Sequence, residues 1–168
     1  MKRFSQWSPL TYKLAVEKNI VQRKVKDALS GTRFACKRQT EPLPHLIYAH
    51  NSLIRRTLGQ VDPRLQDNKA VSLGLAAPCV DGILIAPGET FSFWHYLGKA
   101  TKRKGYREGL VIHRHTFGRG IGGGLCQMAN MIHWLVLHTP LEVTELHHHS
   151  DALFPDVKRR VPFGTGTS

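Results

Sequence analysis

Gly122-Gly123-Gly124-Leu125-Cys126-Gln127, running without a break into the apolar stretch 128–138, is the segment on which the reading of this chain turns. Between Gly118 and Gly124 five of seven positions are glycine. Such a run adopts conformations closed to other residues and lets a backbone or a ligand approach closely. The stretch that follows carries Met131, Ile132, Trp134, Leu135, Val136 and Leu137, and Thr139-Pro140 closes it. A helix apolar on nearly all sides is expected to be buried and central.

Working outward, Pro9, the helical spacing of Leu14, Val21, Val25 and Leu29, and the terminator Gly31 predict a basic amphipathic helix over 9–29. Its apolar stripe is expected to pack on the rest of the domain. Residues 30–44, with Gly31, Pro42 and Pro44, read as a linker or surface loop. Leu46, Ala49, Leu53, Ile54 and Leu58 before Gly59 predict a second helix over 45–58, and a third is expected over 68–77, stopping at Pro78. Short apolar runs at 80–85, 91–94, 110–113 and 141–146 read as strands, the first ending in Pro87-Gly88. The fold class is therefore α+β: N-terminal helices followed by a small, mainly antiparallel sheet packed around one buried helix. Residues 1–44 are expected to be a basic helical segment and linker, and 45–168 the α+β domain, together one structural unit.

A chain of 168 residues suits one domain with a real core, and 41% apolar against 21% charged residues exclude a disordered polymer. No run of ~18 apolar residues predicts a transmembrane helix. The basic start, Met1-Lys2-Arg3-Phe4, lacks the apolar core of a secretory signal, so a cytoplasmic protein is expected. Cys36, Cys79 and Cys126 are widely spaced and odd in number, as thiols in a reducing compartment would be. The net charge of +12 attracts polyanions, whether acidic envelope components, lipid headgroups or nucleic acid. The basic residues are not interleaved with aromatics and form no nucleic-acid motif. The expected partners are thus a cell-wall precursor or other anionic envelope component, with peripheral contact at the inner membrane face through the N-terminal helix.

Cys126 falls at the start of the predicted buried helix, where unsatisfied N–H groups and the helix dipole favour a thiolate. Gly122, Gly123 and Gly124 could present N–H groups to a developing oxyanion, and Gln127 a side-chain amide. A histidine base could come from His147, His148 or His149. This predicts a cysteine-dependent hydrolase or acyl or amide transferase, with Cys126 as nucleophile, His149 as base and Gln127 as donor. The plain reading is that Cys126 is a small buried residue. A binding reading makes Gly122, Gly123 and Gly124 with His147, His148 and Ser150 a ligand pocket. A third places a metal on Cys126 and the histidines 147–149, although no familiar ligand spacing is present. No cofactor is expected.

Several motifs resemble the VanW family. They are Pro87-Gly88-Glu89-Thr90-Phe91-Ser92-Phe93, Lys104-Gly105-Tyr106, the Gly122–Gln127 stretch and His149-Ser150. Pro9-Leu10-Thr11-Tyr12, Ser52-Leu53-Ile54-Arg55-Arg56, Asn68-Lys69, Leu137-His138, Phe154-Pro155-Asp156 and residues 162–168 extend the match. The resemblance implies an accessory role in glycopeptide resistance and the cell envelope of Gram-positive bacteria. It supplies no reaction and no catalytic residues. The wider family carries an acid in the final segment where this chain has Gly166, and its sequence continues further, so Ser168 is expected to be an artificial end.

Overall fold

In the computed structural model, which describes residues 8–55, 61–113 and 116–145, Ser8 caps the helix α1 (Pro9–Leu29). The Ser8 hydroxyl accepts the Thr11 N–H at 3.1 Å, and the Thr11 hydroxyl accepts the Ser8 N–H at 2.9 Å. This reciprocal pair satisfies donors that a helix start leaves open. Both ends of α1 fall where the sequence predicts. The helix belongs to a unit made of residues up to Lys37 together with 83–92. In it, Ala35 N–H donates to Thr90 O at 3.1 Å, Thr90 N–H to Arg33 O at 2.8 Å, and Leu84 N–H to Lys37 O at 3.0 Å. The first two of these bonds make a parallel bridge, Phe34 to Thr90.

The second unit comprises residues 38–82 and the chain from Phe93 onward. It contains α2 (Arg64–Val80), α3 (Phe93–Leu97), a 3-10 turn (Lys102–Lys104), β1 (Glu108–His113), β2 (Thr116–Ile121) and α4 (Cys126–Val136). The strands form an antiparallel hairpin in which Glu108 faces Ile121 and His113 faces Thr116. The α+β class is as expected. The helix that β1 lies against is α2, which also packs on α3. Leu65, Leu73 and Ala76 from α2, Phe93 and Leu97 from α3, and Tyr106, Leu125 and Ala129 are buried. Each large apolar side chain among them contributes roughly 1.5–3 kcal/mol over its exposed state.

The buried face of α2 is half polar: Gln66, Lys69 and Ser72 recur at three-residue spacing beside the apolar positions. Two of the polar side chains on this helix tie the hairpin down. Asn68 Nδ2 donates to Glu108 O at 2.9 Å, and Ser72 Oγ accepts the Arg107 N–H at 3.2 Å.

Several expected elements differ. Residues 45–55 form no helix. Leu46 and Leu53 stay exposed, so no apolar face is buried to stabilise one, and side chains from elsewhere fix this segment as irregular chain. Residues 56–60, including Leu58 and Gly59, lie outside the described residues. Helix α2 begins earlier than expected because Asp62 Oδ1 accepts the Arg64 N–H at 3.0 Å. It also runs through Pro78 to Val80, leaving no room for a strand to start there. The Arg38 guanidinium accounts for the extension, donating to Pro78 O at 2.9 Å, Cys79 O at 2.5 Å and Asp81 O at 3.1 Å. A cation at a helix C-terminus satisfies the last carbonyls and complements the dipole.

The strand expected over 91–94 is instead the start of α3, because Phe93 turns into the core. Residues 141–145 have no regular structure, and Leu146 lies outside the described residues. Helix α4 is buried along one side only, through Ala129, Asn130 and His133, while Leu137 just past its end is exposed. Replacing Arg38 by Ala removes the fork at the end of α2. The expected loss is about 1 kcal/mol of unfolding free energy, read by urea denaturation. Arg38→Lys should recover only part of it.

Candidate functional site

The glycine turn is a place where two backbones touch. A Cβ built on Gly109 would overlap the backbone of Gly123, and one built on Gly123 would overlap that of Gly109. Gly122 and Gly124 have φ of 75° and 92°, in the left-handed region that other residues avoid. At Gly122 a Cβ would lie 2.7 Å from the Ala100 side chain, and at Gly124 it would run into the Lys69 stem.

Four backbone donors at and around the turn are engaged. Gly122 N–H donates to Arg107 O at 2.9 Å, Gly123 N–H to Gly120 O at 3.0 Å, and Leu125 N–H to Gly122 O at 3.2 Å. Gln127 N–H donates to Gly124 O at 3.0 Å. The Gln127 side chain is spent too: its Nε2 donates to Leu53 O at 3.0 Å and to Ser52 Oγ at 3.2 Å. An amide NH₂ has two hydrogens, so Gln127 here anchors the 52–53 segment to the start of α4.

Cys126 is the first residue of α4 and is half-buried. Burial pushes its thiol above the ordinary range. The Lys69 ammonium pulls in the opposite direction, as do the backbone N–H groups of Gln127 and Cys126, with smaller effect. Desolvation therefore wins, and the group is a protonated thiol at neutral pH. The structure brings Gly122, Gly123, Gly124, Cys126 and Gln127 together. His147, His148, His149 and Ser150 lie outside the described residues. Among the described residues no group of three His, Cys, Asp or Glu side chains could hold a metal.

Lys69 lies in the matching pair Asn68-Lys69, to which the sequence assigns no role. It is a buried lysine on α2 whose stem lies over Gly124 and whose charge acts on Cys126. The signal in the sequence is its spacing from Leu65, Ser72 and Ala76, which puts a lysine on the inward face of a helix. The N-terminal end of α4 carries positive partial charge. A buried ammonium beside it makes this corner favourable to an anion. Gln66, also on the inward face of α2, has its Oε1 buried without a hydrogen-bond partner among the described residues.

A family model described as VanW like protein matches residues 68–168. Vancomycin B-type resistance protein VanW of Enterococcus faecalis is 37% identical over 132 residues, covering 76% of this chain and 48% of that relative. Uncharacterized protein YoaR of Bacillus subtilis is 29% identical over 83 residues, covering 49% of this chain and 27% of its own length. The chain thus spans about half the length of the first relative and about a quarter of the second. No solved structure matches.

Two measurements check this geometry. Gly123→Ala should cost about 2–3 kcal/mol of unfolding free energy, since the opposing group is backbone and cannot step aside; urea denaturation reads it. Alkylation of Cys126 by iodoacetamide, followed by mass spectrometry in Cys36→Ser/Cys79→Ser protein, should rise with pH through a midpoint above ~8.5. Lys69→Met removes a charge that favours the thiolate, so it should move that midpoint higher still.

Proposed function

The chain belongs to the family of VanW-like proteins, and from that premise we propose that it is an accessory protein of glycopeptide resistance and cell-envelope biology. It acts by binding an anionic envelope component, such as a cell-wall precursor, at the corner formed by Lys69 and the first turn of α4. One observation carries the reading: a buried ammonium set against the positive end of a helix, in a chain of net charge +12. A carboxylate or phosphate group is the chemistry that corner favours. The family link to vancomycin resistance comes through the Enterococcus relative, which bears that activity in its name.

The binding reading is favoured over a reaction at Cys126 because the groups a thiol enzyme would use are engaged elsewhere. The Gln127 amide holds residues 52 and 53, the Gly122 N–H is bonded to Arg107 O, and the Gly123 N–H bonds within the turn. Burial also keeps the thiol protonated, whereas a nucleophilic cysteine works as the thiolate.

A second reading retains a cysteine-dependent hydrolase or acyl or amide transferase on a peptidoglycan-related substrate, with Cys126 as nucleophile and His149 as base. It is favoured by the convergence of Lys69 and two backbone N–H groups on the sulfur. An anionic substrate that excluded water there would meet a cation already in place.

The two readings part on one pair of variants. Cys126→Ser should leave the resistance or envelope phenotype intact in a complemented Gram-positive host, with normal expression and unfolding midpoint. Lys69→Met, shown by the same unfolding assay to be folded, should lose it and should weaken precursor binding in calorimetry by tenfold or more, as expected for an interior charge partner worth roughly 1.5–3 kcal/mol. Loss of function in a folded Cys126→Ser protein would overturn the binding reading in favour of the enzyme.

A further inference from the structure

We infer that α1 is an interfacial helix that docks on an anionic phospholipid surface. Along α1, Leu10, Leu14, Val21, Val25 and Leu29 fall on one side of the helix at helical spacing, and all five are exposed, from 52% for Val25 to 82% for Leu29. The side that is drawn in is a different one, carrying Val16, Ile20 and Asp27, which are half-buried. The long apolar stripe therefore has no partner within the described residues of its own unit. Five apolar side chains left in water over a 21-residue helix mark a surface made to be covered.

Charge decides what covers it. Arg23 and Asp27 neutralise each other at 2.8 Å. Lys13, Lys18, Lys24 and Lys26 then stand against Glu17 alone, with Lys18 on the stripe and Lys13 and Lys24 bordering it. A second copy of this helix laid on the stripe would bring like charges face to face, which opposes self-association. An anionic headgroup layer accepts the ammonium groups while the lysine stems and the stripe enter the acyl boundary. The sequence ahead of the helix adds two further cations, Lys2 and Arg3. Among the described residues no helix is long and apolar enough to cross a membrane, so the contact is peripheral.

The test is co-sedimentation of the full chain with lipid vesicles free of any wall precursor, which keeps it independent of the Lys69 corner. Phosphatidylglycerol-rich vesicles should bind the protein, phosphatidylcholine vesicles should not, and added salt should release it. Val21→Ser/Val25→Ser should weaken binding roughly tenfold, and Lys18→Gln and Lys24→Gln roughly fivefold each. Each variant is to be matched to the parent by unfolding midpoint. Three outcomes overturn the inference: equal binding to both lipids, anionic binding untouched by the valine variants, or a valine-dependent dimer in solution, which makes a second copy the occupant.

Discussion

The crossing of Gly109 and Gly123 is the contact on which the arrangement of the larger unit depends. Where two main chains pass with no Cβ between them, neither can be moved by a rotamer change, so the approach admits no side chain at either position. One chain is the second residue of β1 and the other the turn into α4, so this contact fixes the hairpin relative to the helix that follows it. Helix α2 closes the arrangement from the other side. Asn68 and Ser72 hold the approach to β1 and its first residue, and the Lys69 stem lies over Gly124. A run of glycines read in isolation as a cradle for a ligand is thereby also a requirement of packing. The two uses are compatible only where an N–H is left unspent.

How much of this the sequence shows follows from the range of the forces involved. Helix α1 is legible to the residue because local chemistry sets its ends: Ser8 and Thr11 bond each other across three positions, Pro9 suits the first turn, and Gly31 follows the last. The start of α4 is legible from the glycine run that precedes it, although no side chain caps that helix. Residues 45–55 are not. Their apolar spacing suits a helix, yet Gln127, some 75 positions away, holds Ser52 and Leu53 as irregular chain. Tyr48 stacks on His138 with ring centroids 3.6 Å apart. Pro78 fails as a stop for another non-local reason, the guanidinium of Arg38, 40 positions away.

At the candidate site the same division holds. Cys126 and Gln127 announce themselves by type and neighbours. The role of Gln127 does not, because a side-chain amide reads as a catalytic donor until its two acceptors are known. Lys69 sits in Asn68-Lys69, a pair that matches the family, and its spacing from Leu65, Ser72 and Ala76 puts it on the inward face of α2, but that spacing does not say what it faces. Only the placement of α2 against the glycine turn sets its charge beside Cys126.

That charge sharpens what the corner can be. A lysine beside the N-terminal end of a helix is electrostatically misplaced, since both are positive, and its burial adds a desolvation cost. A negative group at that corner would offset both costs. The Cys126 thiolate is one candidate, and it would draw on Lys69 and two N–H groups at once. Burial nevertheless holds the thiol above its ordinary range in spite of all three. The balance in the resting protein therefore goes against the internal anion. An external carboxylate or phosphate arrives with its charge already formed, so the corner need not pull off a proton to hold it. That difference, between making an anion and receiving one, is the physical ground for preferring recognition over bond-making at this site.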